Sequence, residues 1–249
     1  MRKLNEKIME ELFRAGGDSG GGGGDLSSLW AQLFQYGYTG DRITLTLTGV
    51  TNLRGDSFPN CKGVSVLNLP DIQQLQNNAL AHTYIDEINL NDGPIACTTQ
   101  GVFQGSQNLR KLRIKGACAK YGKPLEYAST AYNFCSQCPN LEIFDFEFLT
   151  GPSVVAKLYK LAGNIFVGDN KLKALILRNS NLVIKADTDS ANNIPPMVKS
   201  GTGYVYVPSV LLEAYKADDS WSTYAAQFRV LEDYTVDGTT TGDIDETKI

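Results

Sequence analysis

Apolar residues recur along this chain in short alternating runs set a near-constant distance apart. Leu45, Leu47, Val50, Leu53 and Phe58 reappear 22 residues later as Leu67, Leu69, Ile72, Leu75 and Leu80. A second frame joins the end of one unit to the start of the next. Phe58, Cys61, Val64, Leu67 and Leu69 share their spacing with Phe103, Ser106, Leu109, Leu112 and Ile114, and again with Phe166, Asp169, Leu172, Leu175 and Leu177. The unit from Leu80 is one residue shorter, reaching Ile85, Ile88 and Leu90. The unit from Phe134 is one longer, reaching Cys138, Leu141, Phe144 and Phe146. Period-two alternation predicts short strands that turn every second side chain inward. They centre on Leu45–Leu47, Leu67–Leu69, Ile88–Leu90, Leu112–Ile114, Phe144–Phe146 and Leu175–Leu177, at spacings of 22, 21, 24, 32 and 31. The later units therefore carry insertions.

The core of each unit reads L-x-x-L-x-L in LRKLRI, LEIFDF and LKALIL, and more loosely in VSVLNL and IDEINL. That is the leucine-rich-repeat signature. One such unit cannot bury its apolar edge alone, so units stack into a solenoid whose ends need caps. The expected fold is an α/β repeat, a leucine-rich-repeat solenoid of short parallel strands with terminal caps, preceded by a short helix and a glycine-rich linker. The divisions are an amphipathic helix over 1–14, the linker over 15–25, an N-terminal cap over 26–42, repeats over 43–200, a C-terminal cap over 201–234 and a polar tail over 235–249. The first cap helix starts at Asp25 and packs Trp30, Leu33 and Phe34 inward. The last cap has a strand through Val205 and Val207, then an amphipathic helix from Ser209 that ends near Trp221. An insertion around Leu149 to Lys160 reads as a packed helix.

The N-terminal stripe is Leu4, Ile8 and Leu12, widened by Met9 and Phe13. A helix this short is stable only against a partner, so Leu4, Ile8, Leu12 and Phe13 are read as anchoring residues. Glu6, Lys7, Glu10 and Glu11 interrupt the uninterrupted apolar run that a secretory signal needs, so no export signal is expected there. Seven of the nine residues from Gly16 to Gly24 are glycine, which makes a tether; the Gly-Lys-Ser/Thr of a phosphate loop does not follow.

The chain has 249 residues, 42% hydrophobic and 20% charged, with a formal net charge of -4. It holds enough apolar material for a core and has no run of apolar residues that spans a membrane. Its acidity argues against binding by phosphate neutralisation, so no nucleic-acid partner is expected. The five cysteines, Cys61, Cys97, Cys118, Cys135 and Cys138, make no disulfide framework. They read as reduced and mostly buried. Cys135 and Cys138 have C-x-x-C spacing without a second pair to close a zinc site, and no metal or cofactor is expected. The single histidine, His82, lies in a return segment away from any nucleophile signature, which fits a structural or exposed side chain.

The units SFPNCKGVSVLNLP, VFQGSQNLRKLRI, NFCSQCPNLEIFDF and IFVGDNKLKALIL resemble the BspA-like, treponemal-type leucine-rich repeats. GTGYVYVPSVLLEAYKADDSWSTYAAQF is similar to the terminal segment of these arrays in gut Firmicutes and their phages. The resemblance runs from about Ile43 to Leu231. It departs at Leu80, where the motif has phenylalanine, and in the two long units. It implies a recognition role: a non-enzymatic phage virion protein of tail, baseplate or fibre, or alternatively a bacterial cell-surface adhesin. The expected partners are other virion proteins, met through the N-terminal helix, and a host-surface glycan or protein. The resemblance also implies a homo-oligomer, with a trimer as in many phage fibres. The expected location is the virion, with the bacterial surface as the alternative.

Two regions are candidate binding surfaces. On the outward strand face one row reads Thr46, Asn68, Asn89, Arg113, Asp145 and Ile176, and its neighbour Thr44, Val66, Glu87, Lys111, Ile143 and Ala174. Asn68, Asn89, Lys111, Arg113 and Asp145 are the candidates there, although Arg113–Asp145 and Glu87–Lys111 would also pair across strands and stabilise the sheet itself. The insertion after Ile114 supplies Lys120, Tyr121, Lys123 and Tyr127. Asp145 and Glu147 share the outward side, which leaves a glycan-active enzyme as a second alternative. Without a cleft they read as a solvated edge.

Overall fold

The computed structural model describes residues 40–118, 127–129, 133–148, 158–161, 163–188 and 191–233, apart from residues 54, 56, 59, 92, 94, 98 and 99. The anchoring stripe, the linker, the first cap helix, the polar tail and Lys120, Tyr121 and Lys123 lie outside these.

Among the described residues the strands are β1 (Ile43–Thr46), β2 (Asn52–Leu53), β3 (Val64–Leu69), β4 (Gln74–Leu75), β5 (Glu87–Leu90), β6 (Ile95–Cys97), β7 (Lys111–Cys118), β8 (Tyr127–Ser129), β9 (Ile143–Phe148), β10 (Leu158–Leu161), β11 (Ala174–Leu177), β12 (Lys185–Ala186), β13 (Tyr204–Val207) and β14 (Phe228–Val230). The helices are short: α1 (Pro196–Ser200) and α2 (Leu212–Ala217). The fold is α/β, dominated by one large parallel sheet. Its main path joins eight strands in the order β1-β3-β5-β7-β9-β11-β13-β14. Between them lie shorter strands that build a second ladder, β2-β4-β6 leading onto the end of β7, and a separate sheet β12-β10-β8.

All six strand centres expected from the alternation are strands of the main path. Their register carries the inward column Leu45, Leu67 and Ile88, and on the other side Leu112, Phe144, Leu175, Val205 and Phe228. Each of these side chains is buried. A buried leucine is worth about 1.5–3 kcal/mol relative to an exposed one, so the column is a main source of cohesion. Rings extend it: Phe134 meets Phe103 edge to face at 5.3 Å, and Phe144 meets Phe166 at 6.0 Å.

The returns between strands turn at corners in left-handed backbone. One series is Asn60, His82, Gly105, Gln137 and Gly168, and a second is Asn78, Gly101, Asn133 and Asn164. Asparagine tolerates this region better than most residues because its short side chain bonds locally. Hydrogen bonds tie corner to corner, Asn60 N–H to the His82 carbonyl at 3.0 Å and Gly105 N–H to the Ser136 carbonyl at 2.9 Å. At Gly105 a Cβ would lie 2.5 Å from His82 Nδ1, so glycine is needed there for space as well as for its φ of +69°.

Beneath the corners runs a buried polar column: Cys61, Thr83, Ser106, Cys138 and Asp169. Ser106 Oγ donates to the Leu80 carbonyl at 3.0 Å, and Cys138 Sγ to the Phe103 carbonyl at 3.1 Å, so each satisfies a carbonyl of the preceding turn. Cys61, Cys97, Cys135 and Cys138 are buried, as expected. Burial pushes the Cys61 thiol up to about 11.

The C-terminal elements depart from expectation. The helix expected from Ser209 to near Trp221 starts as a 3-10 turn, Ser209–Leu211, becomes α2 and stops at Ala217. Asp218 ends it, with extended backbone and a carboxylate that accepts from the Ser220 N–H at 2.9 Å. The chain then adds β14, which the alternation did not announce. Tyr215 and Trp221 are fully buried and both bond Ile184: its N–H donates to the Tyr215 hydroxyl at 3.0 Å, and Trp221 Nε1 donates to its carbonyl at 2.7 Å. The apolar insertion expected as a helix over Leu149 to Lys160 ends in a strand, β10, because Leu158–Lys160 pair with Tyr127–Ser129. Residues 149–157 lie outside the described residues.

Candidate functional site

The outward rows read from the sequence are rows of the sheet. Thr44, Val66, Glu87, Lys111, Ile143 and Ala174 stand opposite one another in turn. So do Thr46, Asn68 and Asn89, and Arg113, Asp145 and Ile176. Side-chain amides link the first of these rows: Asn68 donates to Thr46 Oγ1 at 3.0 Å and Asn89 to Asn68 Oδ1 at 2.9 Å.

At its C-terminal half this face is covered. Ile143, Ala174, Ile176 and Tyr206 are buried in a small second cluster with Tyr204 and Leu231 against it. These outward positions are apolar, so burial stabilises them where charges would have paid a desolvation cost.

Between β5 and β7 the sheet opens. The two strands pair at a single rung, Glu87 opposite Lys111. β7 then runs on to pair β6, Ile95 opposite Gly116 through Cys97 opposite Cys118. Between these pairings lies a groove of about 500 Å³. It is lined by Glu87, Asn89, Lys111, Arg113, Lys115, Asp145, Glu147 and Arg178, with half-buried Leu90 and the buried Ile88 and Ile114 among them.

Charge is layered in this groove. Asp145 is only 3% exposed, not the solvated edge residue expected. Arg178 reaches it with Nε and Nη2, each 2.7 Å from a different carboxylate oxygen. Arg113 stands 3.8 Å away on the outer side and is 57% exposed. Lys115, 43% exposed, lies 3.2 Å from Glu147, which is 29% exposed. The carboxylates sit low and the cations stand above them. At the mouth Glu87 is exposed and accepts from Asn89 Nδ2 at 2.7 Å.

Just before β7, β9 and β11 begin, Glu142 is gripped by Arg110 at 2.6 Å and by Lys173. Burial opposes its charge, but Lys173 and Arg110 outweigh it and hold the carboxyl below its ordinary range. Asp169 has the opposite fate. Burial pushes it up to about 8, against one opposing bond from the Cys138 N–H at 2.8 Å. At neutral pH it is mostly a neutral acid in the polar column.

The structure thus brings Asn89, Lys111, Arg113 and Asp145 to one groove and leaves Asn68 in the adjoining amide row. Tyr127 lies in β8, apart from that face. His82 is exposed at a corner. Arg178, Lys115 and Glu87 were not among the candidates. Arg178 was legible as the next outward position after Ala174 and Ile176, two residues on. The groove itself was not, because it comes from a change of strand partner. Among the described residues no cluster of three His, Cys, Asp or Glu is arranged to hold a metal ion, and no helix is long and apolar enough to cross a membrane. The chain matches no protein-family model and no curated protein at a significant level.

Proposed function

We propose that this chain is a displayed, non-enzymatic recognition module: a BspA-like leucine-rich-repeat solenoid with terminal caps, carried on a phage virion as a tail, baseplate or fibre component and turned toward the host surface. The observation that carries the recognition role is the groove between β5 and β7, where cations stand over sunken carboxylates on an otherwise continuous strand face. Repeat stacking is supported by the left-handed corners, which recur with the strands, 22, 23, 32 and 31 residues apart in the series from Asn60 to Gly168. Tyr215 and Trp221, packed on Phe228 at 5.5 and 5.6 Å, support a C-terminal cap. The non-enzymatic reading is supported by the engagement of Asp145 and Glu147, the acids that shared the outward side in the sequence, with cations: Asp145 is held by Arg178 and Glu147 by Lys115. A general acid and base would need carboxylates open to substrate.

Tethered display is supported by the apolar stripe of Leu4, Ile8, Leu12 and Phe13 followed by the glycine tract. Deleting residues 1–24 leaves a folded head, seen as an unchanged unfolding transition, that no longer enters virions. Normal incorporation of the truncated chain would overturn the tether, and absence of the full chain from purified virions would overturn the virion role.

A further inference from the structure

We propose that the groove between β5 and β7 takes the terminal residue of an acidic glycan, with the sugar's anionic group on Arg113 and Lys115. This rests on the reading of the strand face as a recognition surface and names what that face binds.

Three features of the groove select this class. The first is its size. β5 and β7 pair at one rung, Glu87 with Lys111, and β7 next pairs β6 from Ile95 with Gly116, so the sheet face is broken between them. A groove of about 500 Å³ there suits a compact terminal group of one or two rings.

The second is the sign of the accessible charge. Asp145 is sunk beneath Arg178 and Arg113, and Glu147 is less exposed than Lys115. On the β7 side an entering group therefore meets guanidinium and ammonium before the carboxylates, while Glu87 is exposed on the β5 side. A carboxylate there gains charge-assisted bonds, and Arg113 presents a planar fork matched to it.

The third is the pairing of an aliphatic contact with polar walls. Of the apolar lining residues, Ile88 and Ile114 are buried in the core and half-buried Leu90 offers a surface for the C–H face of a pyranose ring. Asn89 donates to both Asn68 and Glu87, so its amide carbonyl and the exposed Glu87 carboxylate are oriented as acceptors for ring hydroxyls.

Titration calorimetry on the full chain tests this with N-acetylneuraminic acid and galacturonic acid oligomers as carboxylate sugars, and glucose 6-phosphate as the phosphate source of the same charge. Methyl galactoside and hexaglutamate are the comparison probes. The expected result is binding of a carboxylate or phosphate sugar, with the tighter of the two naming the group. An R113Q/K115Q variant, whose changes lie on exposed side chains, loses affinity at least about tenfold with an unchanged unfolding transition. Equal binding of methyl galactoside, binding of hexaglutamate alone, unchanged affinity in R113Q/K115Q, or no binding of any acidic sugar would each overturn the proposal. If the chain still binds intact cells while every sugar fails, the ligand class is wrong and the recognition reading stands; loss of both removes the reading itself.

Discussion

Arg178 holds Asp145 through two parallel hydrogen bonds of 2.7 Å, closing over a carboxylate that solvent barely reaches. Arg113 shares the same acid from the outer side at 3.8 Å. The two arginines therefore have different duties. Arg178 neutralises a buried charge, and Arg113 is placed to meet what enters the groove.

Replacing Arg178 by glutamine strands the Asp145 charge and is expected to cost about 2–4 kcal/mol, somewhat less than a fully buried pair because Arg178 is 27% exposed. Arg113→Gln should cost under about 1 kcal/mol. Urea unfolding of the two variants decides it. Equal losses would show that Asp145 is held by both arginines alike.

Asp169 gives the fold a pH dependence of its own. Its ordinary value is 3.8, and burial raises it to about 8 in the folded chain. Below about pH 4 both states keep the proton and its contribution is full. Between about 4 and 8 only the unfolded chain releases it, so stability falls by up to about 1.4 kcal/mol per pH unit, then levels off above about 8. Glu142 works in the opposite sense: its lowered value contributes stability above about 4.5 that is lost in acid. The difference between wild type and Asp169→Asn isolates the first effect. It should shift steadily against wild type from pH 4 to 8; a flat difference would mean that Asp169 is ionised in the fold.

Gly105 and Gly49 both have left-handed backbone, but a Cβ at Gly49 meets nothing within 4 Å while one at Gly105 strikes His82. Gly49→Ala should cost about 1–2 kcal/mol from backbone alone. Gly105→Ala should cost about 2–4 kcal/mol, adding an overpacking cost to the same backbone cost. In a His82→Ala background the two alanine substitutions should cost about the same. Chemical denaturation of the set reads this directly, and no coupling between positions 82 and 105 would contradict the stacking of the corners.

Trp221 Nε1 and the Tyr215 hydroxyl serve the carbonyl and the N–H of one residue, Ile184. Tyr215→Phe leaves the buried Ile184 N–H without its acceptor and should destabilise by about 1–3 kcal/mol. A change below about 0.5 kcal/mol in thermal unfolding would place that N–H in contact with water.

The inward columns were readable because period two is a strict geometric rule. Once Leu67 and Leu69 face the core, Asn68 must face out, and the register of one unit passes to the next. For that reason the pairings of Glu87 with Lys111 and of Arg113 with Asp145 could be placed from spacing alone. The groove depends on where β7 leaves β5 for β6, a choice made by backbone hydrogen bonds to residues 95–97, and spacing carries no trace of it. Burial of Asp145 was hidden because Arg178, legible as an outward position, covers it by a side-chain reach across the strands that spacing does not carry. The short strand β14 escaped notice because Phe228 and Val230 follow a polar stretch with no repeat copy beside it.

The most direct test of the account is saturable binding of the labelled full chain to intact cells of a panel of gut Firmicutes, measured by flow cytometry for wild type and R113Q/K115Q. The account predicts saturable, salt-sensitive binding to at least one strain that the variant loses. Absence of saturable binding across the panel, or equal binding by the variant, would contradict it.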